Sequence, residues 1–415
     1  MKIAVIGSKG LPPKQGGIEH HCAEIYTRMV AQGHSVDLYA RPSYTDQAWG
    51  QRQNYKGINV ISLPSISVRG IDAFVSSAIA AIAASKEQYD IIHFHALGPA
   101  LFSALPKIAS PAKVVVTCHG LDWQRAKWGN ISSRLIRMGE QSAVRFADAI
   151  VTVSEDLQTY FMESYDKETT YITNAPASYV ETDSDFSYVQ SLGLQQDQYI
   201  LFLGRLVPEK RPELLIKAFQ ALQPPGWKLV LVGNNSNTPS YTSELFGLAG
   251  EDPNILFAGE LRGKELAEMV RGAGLFVLPS DVEGLPLAML EAMQEGIPVL
   301  ASDIPVNQRL LGKDRGILFQ AGNLDSCIAG LNRAMTNPQE LKAIAQRAKT
   351  YVQKHHNWDK ITEECLYVYD EVRFGRTSSP TTKRSWVFRN PQNQPAIRLA
   401  KSVQEKEKIK LLEKA

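Results

Sequence analysis

Short apolar runs alternate with amphipathic stretches along most of this chain, and glycine, proline or small polar residues bound each run. Runs at 2–6, 35–40, 58–63, 90–94, 113–117 and 149–153 predict buried strands. Between them, 20–32, 71–85, 99–108 and the stretch opened by Ser154 carry helical spacing, with Ser154 as N-cap. Strand–helix alternation of this kind builds parallel sheets covered on both faces. The rhythm pauses at Asn174, and the chain stays polar to about Gln198. It resumes with runs at 199–204, 229–233, 255–257, 275–278, 297–301 and 316–319, then helical stretches at 342–354 and 357–371. The pattern therefore predicts an α/β chain of two lobes, divided near Asn174.

The stretch 279–298 has the densest candidate chemistry. It reads as a strand end, a short loop and a helix. Pro286 suits the start of the helix, Gly296 its C-terminal cap, and Pro298 prevents its continuation. Glu283 falls in the loop and Glu291 on the second helical turn. A helix N-terminus leaves backbone N–H groups free for an anion, and carboxylates accept hydrogen bonds from hydroxyls. A ligand carrying both phosphates and hydroxyls fits that combination. Two further places suit phosphate. Gly7 to Glu19 is a glycine-rich loop between strand and helix, and Gly204-Arg205 with Lys210 follows a strand with two fixed cations. The first loop lacks the middle glycine of the dinucleotide fingerprint, and the next strand ends at Arg41 instead of an acidic residue. Both features argue against nicotinamide chemistry.

The Glu283-x7-Glu291 spacing resembles the signature of retaining glycosyltransferases of family 4. The Gly204-Arg-Leu-Val-Pro-Glu-Lys210 string, the Gly16-Gly17-Ile-Glu19 element, His93-Phe-His95, His119-Gly120 and Tyr171-Ile-Thr-Asn174 resemble other segments of that family. Ala175 stands where glycine is usual. The long form Gly10-Leu-Pro-Pro-Lys-Gln-Gly-Gly-Ile-Glu19 resembles a subset that includes bacterial polysaccharide rhamnosyltransferases. The resemblance runs from Lys2 to about Phe374 and implies the GT-B architecture, two Rossmann-like lobes with parallel sheets facing across a cleft. It divides the chain into an acceptor-binding lobe at 1–174, a nucleotide-sugar-binding lobe at 175–357, a helix at 358–378 returning to the first lobe, and a basic tail at 379–415.

The resemblance also implies roles. Arg205 and Lys210 would bind the donor diphosphate, and Glu283 and His119 would contact the transferred sugar. Glu291 would hold the ribose, and Gly16, Gly17, Gly204, Gly284 and Leu285 would line the donor site. The reaction would be retaining transfer of a hexosyl or deoxyhexosyl group to a saccharide or lipid-linked saccharide acceptor, in assembly of a bacterial surface polysaccharide. No cofactor or metal is expected: Asp183-Ser-Asp185 falls in the polar stretch between the lobes and not beside the candidate site, and two cations with a helix terminus can replace a divalent ion. His93 and His95 share one strand face, but no third metal ligand is apparent beside them, and a satisfied polar pair is expected.

Composition narrows this further. At 415 residues the length suits two domains, and 44% hydrophobic and 21% charged residues are ordinary for a globular protein. Cys22, Cys118, Cys327 and Cys365 have no paired spacing, which points to reduced thiols in a cytoplasm. Neither a signal peptide nor a membrane-spanning run is evident, and no nucleic-acid partner is expected. The net charge of +2 is uneven. From Ser379 onward there are nine Lys/Arg against three Asp/Glu, so the remainder is acidic. That tail, with Trp386 and Phe388, and the basic stretch Arg125, Lys127, Arg134, Arg137 and Arg145 can be solvated surface, or can sit on an anionic membrane face. Two other functions share the architecture, a sugar-nucleotide epimerase and a non-catalytic carbohydrate- or nucleotide-binding protein. The first needs an acid/base pair acting on the sugar; the second would lack one of Arg205, Lys210, Glu283 or Glu291.

Overall fold

The computed structural model describes residues 1–13, 17–42, 48, 50–64, 72–124, 130–233 and 239–375. Residues 1–375 form one compact unit containing two sheets. The first has eight strands: β1 (Lys2–Ile6), β2 (Ser35–Ala40), β3 (Arg52–Tyr55), β4 (Ile58–Ser62), β5 (Ile91–His95), β6 (Lys113–Cys118), β7 (Ala149–Thr152) and β8 (Thr170–Tyr171). Their order is β3-β4-β2-β1-β5-β6-β7-β8, parallel except for the β3–β4 pair. The second sheet contains β9 (Tyr199–Leu203), β10 (Lys228–Val232), β11 (Ile255–Gly259), β12 (Leu275–Leu278), β13 (Val299–Ser302) and β14 (Ile317–Phe319). It runs β11-β10-β9-β12-β13-β14, parallel throughout.

Each sheet is covered on both faces, which is why its strands read as continuous apolar runs. Ile3 and Val5 of β1 join one core with Tyr26 and Met29, while Ala4 and Ile6 join another with Ala80 and Ala81. The second sheet divides likewise. Tyr199 and Leu201 face Met289 and Met293, whereas Ile200 and Phe202 face Leu215 and Phe219.

The strand order reverses between β1 and β5 in one sheet and between β9 and β12 in the other. Ligands of open α/β sheets bind beyond the carboxyl ends of strands at such switch points. His119 follows β6, Gly204 and Arg205 follow β9, and Glu283 follows β12, so all four lie at carboxyl ends.

The helix Trp358–Phe374 starts at Asn357, whose side chain accepts from the Asp359 and Lys360 amides. Trp358, Ile361, Cys365, Val368 and Tyr369 are buried in the core beneath the first sheet, not the second. The chain thus ends its described course packed on the lobe where it began.

Several elements differ from the apolar pattern. The helix expected at 20–32 is Gly17–Ala31, so Glu19 lies in its first turn. The stretch 99–108 is a 3₁₀ turn, Pro99–Phe102, followed by a helix, Ala104–Ala109. Strand β3 was not expected, because Arg52-Gln-Asn-Tyr55 is polar and lies on the sheet edge. Lys56 and Gly57 both take positive φ in the two-residue link to β4. No helix among the described residues is long and apolar enough to cross a membrane.

Candidate functional site

In the second lobe, the loop after β9 and the loop after β12 converge on one ion pair. Lys210 Nζ donates to Glu283 Oε1 at 2.6 Å, and Ser280 Oγ donates to the same oxygen at 2.8 Å. Both charged side chains are mostly buried, 16% and 12% exposed. Sequence reasoning had given Lys210 to a diphosphate and Glu283 to a sugar without connecting them. The fold joins them, and they lie 73 residues apart. Arg205 stands beside Glu209, with 3.9 Å between Nη2 and Oε1. Both Glu209 carboxylate oxygens are buried without a hydrogen-bond partner.

Glycines permit this crowding. A Cβ on Gly204 would come within 3.1 Å of the Lys210 side chain, so the ammonium stem lies flat across that glycine. A Cβ on Gly284 would lie 2.3 Å from the His119 carbonyl oxygen, which puts the Glu283 loop directly on the first lobe. A Cβ on Gly17 would meet the end of the Leu287 side chain at 2.8 Å. Leu285 packs against cores of both lobes, and Arg309 pairs with Asp156 of the first lobe. Gly16 lies outside the described residues.

Glu291 lies on the helix Leu287–Glu295, where Tyr179 Oη donates to its Oε2 at 2.7 Å. Burial pushes its carboxyl above the ordinary value, with the Tyr179 bond pulling the other way. Tyr179 comes from the polar connection between the lobes and gave no sign in the sequence.

The first lobe contributes a column of imidazoles. His93 and His95 stack at 4.2 Å between centroids, as two residues on one strand face can. They form a satisfied pair. His93 meets Tyr369 Oη at 2.6 Å and Thr117 Oγ1 at 2.7 Å, while His95 Nε2 meets Tyr26 Oη at 2.7 Å. His95 Nδ1 then meets His119 Nε2 at 3.1 Å, and His21 packs edge-on against both rings. Burial lowers His93 to about 3 and His21 to about 4, so both are neutral at pH 7. His21, Tyr26 and Tyr369 were missed because helices far apart in sequence supply them.

Two further residues in the cleft were not expected. Lys9 follows β1, and burial lowers its ammonium, with Glu19, Arg41 and the second lobe's Arg205 and Glu260 also acting on it. Glu19 is buried and accepts the Lys9 amide at 3.0 Å, which ties down the glycine-rich loop. Glu140, an acid within the basic stretch, is likewise structural. It accepts from Trp123 Nε1 at 2.9 Å and from the Tyr160 and Tyr165 hydroxyls. Arg134 and Arg145 are exposed, and Arg137 lies 4.3 Å over the Trp123 ring. Arg125, Lys127 and the 379–415 tail lie outside the described residues.

Two family models match the chain in succession. The model for glycosyltransferase family 4 matches residues 15–175, and that for glycosyl transferases group 1 matches 186–351. The chain is a glycosyltransferase of the GT-B type. An uncharacterised glycosyltransferase of Methanocaldococcus jannaschii is 26% identical over 402 residues, 89% of this chain and 98% of that one. Sucrose-phosphate synthase from Thermosynechococcus elongatus superposes with a TM-score of 0.77 at 19% identity, covering 90% of this chain and all of that one. HepE of Anabaena, solved with UDP-glucose, superposes with a TM-score of 0.73 at 21% identity, covering 89% and 100%. In this glycosyltransferase the two sheets thus have the GT-B arrangement, and the Gly284–His119 and Gly17–Leu287 contacts lie between its lobes.

Proposed function

We propose that this glycosyltransferase takes a sugar from a nucleotide-diphospho-sugar and transfers it, with retention at the anomeric carbon, to a saccharide or lipid-linked saccharide. The observation that carries the reading is the backbone contact of Gly284 with His119. It gathers the Arg205–Lys210 loop, the Glu283 loop and His119 around one space. That HepE was solved with UDP-glucose supports a nucleotide-sugar donor.

The Lys210–Glu283 pair suggests how the donor is received. A diphosphate beside Lys210 and Arg205 offers more negative charge than one carboxylate. Lys210 then exchanges Glu283 for phosphate oxygen, and Glu283 is released to accept sugar hydroxyls. As the glycosidic bond breaks, charge builds on the leaving diphosphate, and two preorganised cations stabilise that charge in place. The half-buried Glu291 carboxylate accepts hydroxyls of the ribose. No side chain stands out as a nucleophile, so acceptor attack is assigned to the face from which diphosphate leaves. No metal is assigned a step.

On the acceptor side, Ser8, Arg41, Ser76 and Ser77 line a small hollow near the carboxyl ends of β1 and β2. Hydroxyls and a guanidinium suit a saccharide or its phosphate. Assembly of a surface polysaccharide, with the basic tail at the inner membrane face, is the wider role in which this chemistry fits. Donor screening by thermal shift identifies the nucleotide and sugar, since a ligand of the folded state raises apparent stability. Proton NMR of the first-formed product then reads its anomeric configuration. Inversion, or turnover of donor to an epimer without acceptor, defeats the proposal.

A further inference from the structure

His21, His95 and His119 each present a ring nitrogen, and these three atoms all lie within 4.8 Å of one another. Two of the rings are almost wholly buried, and His119 is half-buried at the cleft. His21 Nδ1 meets Asn174 Oδ1 at 2.6 Å. An amide oxygen only accepts, so Nδ1 carries the proton and Nε2 presents its lone pair. That Nε2 is buried and has no hydrogen-bond partner. A buried and unused lone pair beside two other imidazoles needs a reason.

We infer that His21, His95 and His119 form a three-nitrogen site for a divalent transition metal of the zinc class. Three neutral imidazoles without a thiolate suit Zn²⁺, Co²⁺ and their neighbours, with the fourth position left to an oxygen from the cleft. The outer partners are of the kind such ligands use. Asn174 orients His21, and Tyr26 Oη, 2.7 Å from His95 Nε2, can accept that nitrogen's N–H and leave Nδ1 for the metal. Tetrahedral Zn–N bonds near 2.0–2.1 Å put ligand nitrogens about 3.3 Å apart. The His95–His119 pair already stands at 3.1 Å, so the side chain of His21 makes most of the adjustment. The proton now shared between His95 and His119 moves to an outer ring nitrogen, and none need be lost to solvent.

The site would not serve transfer. It would engage His119, which the proposed function places against the sugar, and so oppose donor binding; that consequence rests on the proposed role of His119, whereas the metal site does not. The test strips the full chain with chelator and titrates Zn²⁺ against a chromophoric competitor. Parallel samples take Co²⁺ for visible spectroscopy and Zn²⁺ for X-ray absorption. We expect one equivalent bound, a tetrahedral Co²⁺ spectrum and three imidazoles around zinc. His21→Ala should weaken binding by at least about tenfold, and His355→Ala, at an exposed histidine elsewhere, should not. Fewer than two imidazoles on zinc, or binding that His21→Ala leaves unchanged, overturns the site. The absorption measurement uses the unaltered protein, so it decides even if His21→Ala fails to fold. Chelator-reversible inhibition by one equivalent supports both readings. Tight three-imidazole binding without inhibition keeps the metal site and removes His119 from the donor site.

Discussion

The Cα of Gly284 leaves no room for a side chain above the carbonyl oxygen of His119: a Cβ there would stand 2.3 Å away, and 3.3 Å from Gly120 Cα. Because the obstacle is backbone, it cannot rotate aside. Gly284→Ala should therefore push the Glu283 loop off the first lobe at a cost of about 1–3 kcal/mol. We expect transfer to fall tenfold or more while each lobe's core stays intact. Steady-state kinetics beside a thermal melt check this, and unchanged kinetics would mean the contact is incidental.

The Lys210–Glu283 pair separates stability from catalysis. Lys210→Ala leaves a mostly buried carboxylate alone and should cost about 3 kcal/mol. The double change Lys210→Met with Glu283→Gln should recover most of that stability. Turnover should remain at least about a hundredfold down in either variant, as in Arg205→Ala, the usual effect of removing one preorganised donor. Recovery of activity with stability in the double variant would take Lys210 out of the chemistry.

With Glu291 on the ribose, as proposed, donor affinity should depend on pH. Its carboxyl is raised by burial, and protonation removes acceptor capacity that ribose hydroxyls would use. Donor KM should rise as pH falls through that raised value, earlier than for an ordinary glutamate. The Tyr179 hydrogen bond lowers the pKa, so Tyr179→Phe should move the rise to higher pH. A KM–pH profile of the two proteins tests this; superimposable profiles would sink it.

The imidazole column makes the first lobe acid-labile. His21 and His93 are held near 4 and 3, against 6.5 for the free group. A lowered folded pKa gives stability that is full above 6.5 and lost as pH falls toward the folded value. For His21 that stability is about 3 kcal/mol at neutral pH. Melting temperature should drop steadily from pH 6.5 to 4.5. His93→Gln should be less stable at pH 7 but show a shallower drop. Parallel curves would contradict it.

The tail predicts a salt-dependent partition. Six surplus positive charges after Ser378 contribute about 1 kcal/mol each at an anionic surface, and salt screens them. The full chain should co-sediment with anionic vesicles at low salt, and a chain ending at Ser378 clearly less. Equal sedimentation removes the tail from membrane attachment.

The sequence by itself determined what depends on near neighbours along the chain. Apolar runs marked the strands because parallel strands are buried on both faces. Pro286 and Gly296 bounded the helix bearing Glu291 because each acts through its own φ and hydrogen bonds. The spacing of Glu283 from Glu291 was visible for the same reason. Strand β3 escaped this reading because Arg52-Gln-Asn-Tyr55 is polar and carries no apolar signal. Tertiary structure alone decided which side chains meet. Lys210 finds Glu283 only because β9 and β12 are neighbours across the switch point of the second sheet. His21 reaches His95 and His119 only because the first helix packs over β5 and β6. Spacing between His93 and His95 offered no third ligand, since a ligand set drawn from a helix and two strand ends has no periodicity to read. Contacts between residues distant in sequence are set by which surfaces bury one another, and that is a property of the packed chain and not of any stretch of it.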